Sequence, residues 1–442
     1  MQIKLSDHFT YKRLFRFVLP SIIMMVFVSV YGVVDGLFVS NFAGKEEFTA
    51  VNLIFPFPML LGAFGFMIGT GGSALVSITL GEGKKKEANE FFSLLIYVTM
   101  IVGLVLTVLG VLFTEKIALL FGAEGEILEY CVTYGRLLFL ALVPFMLQNV
   151  FQSFLVTAEK PTFGLIITVI SGVTNMVLDY IFIGILDGGV VGAALATGIS
   201  QVVGGLIPLV YFILPNKSLL KLGKAKWNMR ALWKTCFNGS SELMTNISIS
   251  LVNMLYNFQL MNFAKEDGVA AYGVIMYVNF IFVAVFLGYA IGTAPIIGYH
   301  YGAGNKDEMK NVYRKSIGFN VVAGILMCIV AILLAAPLAK LFVGYDPTLY
   351  EMTKWGFTVY SISFVVMGLN IYGSSFFTAL GNGLVSALLS FLRTLLFQVV
   401  ALLVLPIFWG LNGIWFSIVA AEGVALILTL IFLGHYRKKY GY

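Results

Sequence analysis

Residues 16–41 read RFVLPSIIMMVFVSVYGVVDGLFVSN, an apolar run long enough to cross a bilayer as one helix, with the carboxylate of Asp35 near its end. A second run of this kind, residues 162–185, carries Asp179 at the corresponding depth. A charge in hydrocarbon costs several kcal/mol unless it is paired, hydrated or protonated. Carboxylates in such positions therefore mark a path for an ion or a proton.

The composition extends this pattern to the whole chain. Hydrophobic residues make up 59% of the 442 residues, charged residues 11%, and the mean hydropathy is +0.93. These values predict an integral membrane protein. Apolar windows of about 20 residues recur at 16–41, 49–80, 91–113, 127–157, 162–185, 190–214, 234–263, 270–301, 315–336, 350–379, 384–406 and 412–434.

The distribution of charge predicts an orientation. Most of the 28 lysine and arginine residues fall in the two tails and in alternate loops, on one side of the predicted helices. The positive-inside rule places these segments, and therefore both termini, in the cytoplasm. We expect a multi-pass protein of the cell (cytoplasmic) membrane. The basic clusters each flank a membrane span, so they do not indicate nucleic-acid binding.

The chain also repeats itself at an offset of 221 residues. This offset aligns Gly71 with Gly292, Gly81 with Gly302, Asn149 with Asn370, and Thr157-Ala158 with Thr378-Ala379. The predicted organisation is an N-terminal six-helix bundle at 1–214, a basic cytoplasmic linker at 215–233, and a C-terminal six-helix bundle at 234–442. We therefore expect an all-α integral membrane fold of twelve transmembrane helices, in two bundles related by a pseudo-two-fold axis around a central cavity.

The repeat breaks at four polar positions, all in the first half. The offset pairs Asp35 with Tyr256, Asn175 with Leu396, Asp179 with Val400, and Thr197 with Ile418. A polar residue that served helix packing alone would have no special reason to occur in one half only. These four residues are therefore the candidate functional site.

The predicted depths in the membrane indicate that these residues could lie close together in one site. Asp35, Asp179 and Thr197 all lie roughly 9–11 Å below the outer boundary, at 1.5 Å per helical residue. Asn175 lies one helical turn before Asp179, as Tyr31 does before Asp35. Such an oxygen-rich cluster suits Na⁺ or a shared proton, because two neighbouring carboxylates resist joint ionisation. The alternative is a buried hydrogen-bond network that fixes helix orientation.

The other intramembrane charges favour structural roles. Arg393 in span 11 and Glu422 in span 12 lie at matching depths, which predicts an ion pair between them. Glu242 lies about two turns into span 7, where we expect it to reach cytoplasmic water. The three cysteines are far apart in separate spans and match no metal-ligand spacing. No nucleotide-binding motif occurs, which argues against ATP as the energy source.

In this combination of features the chain resembles the multidrug and toxic compound extrusion (MATE) transporters, and most closely their DinF branch with its MepA-type bacterial members. The resemblance covers essentially the whole chain. The aspartate of span 1 matches Asp35, the Asn-x-x-x-Asp pair of span 5 matches Asn175 and Asp179, and the span 6 threonine matches Thr197. Further residues that the resemblance places in the surrounding network are Tyr31, Tyr134, Asn149, Gln152 and Pro20, the last matching a proline linked to bending of span 1.

The resemblance implies export of small amphipathic, usually cationic compounds in exchange for H⁺ or Na⁺. It implies no organic cofactor; H⁺ or Na⁺ is the coupling ion, and Asp35 and Asp179 are its ligands if it is Na⁺. The expected partners are the lipid bilayer and small-molecule substrates, with the protein acting as a monomer.

Three other functional classes fit the sequence less well. A flippase for lipid-linked saccharides or peptidoglycan precursors would need several basic residues around a central cavity, whereas only Arg136 and Arg393 lie deep within predicted spans, away from their ends. A receptor or uncoupled channel gives no reason for paired acids in one half of a duplicated chain. An enzyme would need a metal or nucleophile constellation, and the sequence offers none.

Overall fold

The computed structural model describes residues 3–42 and 45–442, and within them it is built from helices without β-strands. The helices are α1 (Tyr11–Phe42), α2 (Lys45–Ile54), α3 (Pro56–Gly81), α4 (Lys85–Leu120), α5 (Gly125–Leu140), α6 (Leu142–Thr157), α7 (Pro161–Asp179), α8 (Gly189–Ile213), α9 (Met229–Gly302), α10 (Lys306–Val343), α11 (Pro347–Ser361), α12 (Phe364–Ala379), α13 (Gly383–Phe391), α14 (Phe397–Trp409) and α15 (Leu411–Tyr440). Two π-helical turns, Tyr180–Ile185 and Leu392–Leu396, extend α7 and join α13 to α14.

The number of membrane crossings approaches the twelve predicted from the sequence once two bent helix pairs are each taken as one span. Nine helices of the described residues are long and apolar enough to cross a membrane, and two bent pairs raise the number to eleven. The pairs are α5 with α6, bent by 52°, and α11 with α12, bent by 48°. At the offset of 221 residues these two pairs correspond to each other. The bend is therefore a feature of the repeated unit.

The 74-residue helix α9 accounts for a further crossing, because it is two arms joined by a reversal. Lys265 has φ 52° and ψ −143°, which is not helical. The Tyr272 hydroxyl donates to Asn253 Oδ1 at 2.8 Å, and the Tyr256 and Tyr272 rings stack 4.7 Å apart. Residues 16 positions apart in a straight helix would be separated by about 24 Å. The chain therefore turns back at Lys265, which is consistent with the twelve predicted spans.

The helix α9 also begins earlier than predicted, inside the expected linker. The Asn228 side chain accepts a hydrogen bond from the backbone N–H of Ala231 at 3.0 Å, which is the arrangement of an N-terminal helix cap. Because this cap stabilises the first turn outside the apolar window, the helix starts at Met229 and not at 234. The preceding linker residues lie against α4, where Tyr97 Oη donates to the carbonyl of Gly223 at 2.9 Å.

The two halves meet closely at one end of the molecule, next to the basic segments. We call this contact the seam; it joins residues 67–81 of α3 to residues 235–239 and 298–303 of α9. A Cβ on Gly71 would lie 2.1 Å from the carbonyl oxygen of Thr235, and a Cβ on Gly239 would lie 1.9 Å from that of Met67. Only glycine allows helices to approach this closely.

The seam continues to the ends of both helices with the symmetry of the repeat. A Cβ on Gly81 would lie 2.0 Å from the carbonyl oxygen of Tyr299, and a Cβ on Gly302 would lie 2.0 Å from that of Ile78. The offset of 221 exchanges Gly81 with Gly302 and Ile78 with Tyr299. The same backbone contact is therefore made twice, once by each half.

The first residues of the chain connect the two halves at the same end of the molecule. We call residues 3–10 the strap. The backbone N–H of Leu5 donates to Glu159 Oε1 at 2.7 Å, in the connection between α6 and α7. The backbone N–H of Phe9 donates to Glu308 Oε1 at 2.8 Å, in the first turn of α10. Leu5 and Phe9 are both fully buried, so the strap is an integral part of this end of the fold.

Candidate functional site

The structure brings Asp35 and Asp179 together. Asp35 lies in α1, and Asp179 is the last residue of α7, where the helix widens into a π-helical turn. Their carboxyl groups are close enough to interact electrostatically. Asn175 Nδ2 donates to Asp35 Oδ1 at 3.5 Å, at the long limit for a hydrogen bond. Three of the four residues at which the repeat breaks therefore lie in one cluster.

The hydrogen bonding of this cluster is incomplete. Asp179 is 0% exposed, and neither of its oxygens meets a donor in the part of the chain that the structure describes. Two ionised carboxylates cannot bond to each other, because neither carries a hydrogen. A proton between them, or a small cation beside them, would satisfy the oxygens and offset the cost of burial.

Two tyrosines border the acids. Tyr31 in α1 lies beside α7, where a Cβ on Gly172 would be 2.9 Å from Tyr31 Cδ1. Tyr134 of α5 is 2% exposed and close enough to Asp35 and Asp179 to interact with both electrostatically. Both residues therefore lie close to the acids, and their role in a supporting network stays a prediction.

The remaining expected residues are placed less directly. Thr197 is half-buried in α8, and its hydroxyl makes no hydrogen bond to either acid within residues 3–42 and 45–442; its carbonyl accepts from Ser200 Oγ at 2.8 Å. Asn149 Nδ2 donates to the carbonyl of Gly62 at 3.1 Å and so joins α6 to α3. Gln152 is buried, and its Oε1 meets no donor among the described residues.

Pro20 lies where α1 crosses the second arm of α9. A Cβ on Gly288 would be 2.5 Å from the Cα of Ile22, and one on Gly292 would be 2.6 Å from Cγ1 of Val18. The segment of α1 around Pro20 therefore contacts the opposite half of the molecule directly. The same helix carries Asp35, so α1 links the acid pair to the C-terminal half.

A cavity of about 280 Å³ lies mainly in the C-terminal half. Its walls come from both arms of α9, from α12, α13 and α15 and from the π-helical turn Leu392–Leu396, with smaller contributions from α1, α3 and α6. Neither Asp35 nor Asp179 is part of these walls. The sequence predicted a central cavity, but not that its walls lie mainly in the C-terminal half, because these walls are scattered along the chain and their polar members follow no motif.

The ion pair predicted from matching depths forms one part of the wall. Arg393 Nε donates to Glu422 Oε1 at 2.8 Å and to Oε2 at 3.0 Å, and Asn370 Nδ2 donates to Oε2 at 2.7 Å. Glu422 is 0% exposed. Glu242, which we expected to reach water at the basic end, also lines the cavity. The described residues contain no group of three or more His, Cys, Asp or Glu side chains suited to a bound metal ion.

Comparison with known proteins finds relatives along nearly the whole chain. The chain is 26% identical over 431 residues to the multidrug export protein MepA of Staphylococcus haemolyticus, across 97% of this chain and 94% of that protein. It is 24% identical over 424 residues to a protein of the same name from Staphylococcus aureus, across 95% and 93%.

Solved structures show the same fold. One is an outward-facing conformation of a multidrug resistance MATE family transporter of the MOP superfamily, with a TM-score of 0.92, 24% identity, and 97% and 96% of the two chains covered. Another is a MOP superfamily transporter from Pyrococcus furiosus, with a TM-score of 0.88, 24% identity and the same coverage. The model of the MatE family matches residues 20–181 and 243–403, one stretch in each half. Because these stretches cover well over half of the sequence, the chain belongs to the MatE family, the MATE transporters.

Proposed function

We propose that this protein exports small amphipathic cations across the cell membrane, in exchange for H⁺ or Na⁺ bound between Asp35 and Asp179. The observation that carries the proposal is the carboxyl pair, in which Asp179 is fully buried and meets no donor among the described residues. An acid pair in this state would take up a small cation whenever one side of the membrane supplies it. The naming of relatives as multidrug export proteins supports the substrate class.

The proposed cycle couples two ligands through a shift between two conformations. In the conformation described here the seam is closed. By the positive-inside rule its basic end is cytoplasmic, as are both termini, so the cavity would open to the exterior. Capture of H⁺ or Na⁺ at Asp35 and Asp179 would rearrange α1, which contacts the C-terminal half around Pro20, and would favour release of the substrate. The loaded protein, acting as a monomer, would then open inward and exchange the ion for a new substrate.

The test is ethidium efflux from vesicles under separately imposed pH and Na⁺ gradients. We expect one of the two gradients to drive efflux by the wild-type protein. Asp35→Asn and Asp179→Asn should each abolish that efflux, because Asn keeps the shape of the side chain but cannot exchange a proton or offer a charge to Na⁺. Asp267→Asn, at an exposed position of α9, is the matched control and should transport normally. Normal gradient-driven efflux by both site variants would contradict the proposal.

A further inference from the structure

The C-terminal half holds the strap through three side chains of α10. Glu308 accepts the backbone N–H of Phe9 at Oε1, at 2.8 Å, and its Oε2 lies 2.6 Å from His8 Nδ1. The carbonyl of Phe9 accepts from Asn311 Nδ2 at 3.0 Å and from Lys315 Nζ at 2.6 Å. Both polar groups of the Phe9 backbone are therefore bonded to α10.

The packing of the strap favours the same half. Leu5 and Phe9 belong to one buried hydrophobic cluster together with the first turns of α1. Outside these two segments, every buried member of this cluster among the described residues lies in the C-terminal half, except Val156 of α6. The Phe9 ring also packs edge-on against His300 in the second arm of α9, with the ring centroids 6.4 Å apart. The strap is therefore packed mainly as a part of the C-terminal half.

The attachment of the strap to the N-terminal half is at Glu159, in the connection between α6 and α7. Its Oε1 accepts the backbone N–H of Leu5 at 2.7 Å. Glu159 has φ 60°, a left-handed backbone conformation that is unfavourable for a residue with a Cβ and that often marks a functional position. At the offset of 221 its equivalent is Leu380, so this carboxylate has no counterpart in the second half. These features distinguish Glu159 from an ordinary connecting residue.

Both anchors of the strap lie next to the seam. Thr157, two residues before Glu159, shares a hydrogen bond of 2.7 Å with Ser73, which is part of the seam. Glu308 lies six residues after Gly302, where the seam ends on the other side. Separation of the halves at the seam would therefore increase the distance between the two anchors and pull the strap from the weaker one.

From these contacts we infer that the strap is a latch on the seam: it stays with the C-terminal half, and its bond from Leu5 to Glu159 breaks each time the seam opens. Glu159 is then a positioning residue, which acts on the seam through the strap and touches no substrate. Because this bond exists only while the seam is closed, it stabilises the closed conformation relative to the open one. The inference rests on the alternation of the proposed export cycle and adds to it the contact that breaks.

The test is to cross-link the strap to each half in turn and to measure amide hydrogen exchange of the seam by mass spectrometry in nanodiscs. Lys4, whose charge lies close to Glu159, gives the N-terminal link as Lys4→Cys with Glu159→Cys. His8→Cys with Glu308→Cys gives the matched link to the C-terminal half. Both pairs are joined by the same short bismaleimide. The native cysteines are replaced beforehand, as Cys131→Ala, Cys236→Ala and Cys328→Ala.

The two links should have different effects on the seam, residues 67–81 and 235–239. The N-terminal link should slow amide exchange there by about tenfold relative to the same variant before cross-linking, because the latch can no longer release. The C-terminal link should leave exchange within about twofold of its own reference, since the strap and α10 move together. An equal effect of both links, no effect of either, or an effect of the C-terminal link alone would each overturn the inference.

Glu159→Ala tests the same contact without a cross-link. Loss of the acceptor should speed amide exchange of the seam by about tenfold, as expected for a lost hydrogen bond to a charged group. Glu87→Ala should exchange like the wild-type protein; it is the matched control, because the offset of 221 makes the exposed Glu87 the counterpart of Glu308. Exchange at the wild-type rate in Glu159→Ala would contradict the latch.

Ethidium efflux separates this inference from the proposed function. Amide exchange is measured without an ion gradient, so a wild-type protein that shows no gradient-driven efflux would refute the export proposal and leave the exchange test of the latch in force. Where efflux is driven, the N-terminal link should abolish it and the C-terminal link should not. Efflux that continues with the N-terminal link in place would overturn the latch.

Discussion

The glycine at position 71 offers a direct perturbation of the seam. In Gly71→Ala the new Cβ would lie 2.1 Å from the carbonyl oxygen of Thr235, whereas ordinary contact begins at 3.4 Å. The two helices must therefore separate by about 1.3 Å, the difference between these distances. Overpacking of this kind costs about 1–3 kcal/mol. Because the cost applies only while the seam is closed, the equilibrium should shift about 5–150-fold toward the open seam.

Cys236 makes this shift measurable, because it lies next to Thr235 in the same turn of α9 and is half-buried. The rate of maleimide labelling, measured by peptide mass spectrometry in nanodiscs, separates Cys236 from the other cysteines. We expect Gly71→Ala to raise the labelling rate of Cys236 about tenfold, within the range given above. Gly273→Ala, in the same helix with nothing within 4 Å of the added Cβ, should label at the wild-type rate. Wild-type labelling in Gly71→Ala, or equal acceleration in the control, would refute a seam closed by glycine contacts.

Three further changes test separate parts of the structure. Arg393→Gln should lower stability by about 3–5 kcal/mol, because it leaves the Glu422 carboxylate buried and unpaired; the double variant Arg393→Gln with Glu422→Gln should recover most of the loss, as measured by thermal unfolding. Burial raises the pKa of Glu159 above its usual value of 4.5, so the free energy of unfolding should fall as pH rises from 4.5 through the folded-state pKa. Glu159→Gln should flatten this dependence, as measured by melting temperatures in a pH series. Asp346→Ala should cost about 1 kcal/mol, because this side chain caps the first turn of α11, and an undiminished melting temperature would contradict that role.

Most of the architecture could be predicted, because bilayer thickness fixes the length of the apolar windows and the repeat relates the two halves. Apolar windows mark the helices, and a constant offset relates the halves. Burial depth follows from position along a helix, so it correctly predicted that Arg393 pairs with Glu422.

Lateral position was not predictable in the same way. Whether a residue faces the acids, a neighbouring helix or a cavity depends on the rotation and bending of each helix, which packing decides. Asn149 bonds to Gly62 in α3, and Glu242 faces the C-terminal cavity, although neither contact has a signal in the sequence. The reversal at Lys265 likewise depends on a backbone conformation that no apolar window reveals.

The strap has a consequence for the order in which the protein is made. Its bond to Glu159 joins residues 154 positions apart, and the bond from Phe9 to Glu308 joins residues 299 positions apart. The strap leaves the ribosome before both of its acceptors, and the second acceptor is synthesised 299 positions after its donor. Contacts between residues so distant in sequence form late, since the intervening chain must be ordered beforehand. Protection of the amide hydrogens of Leu5 and Phe9 from exchange would therefore mark molecules whose assembly is complete.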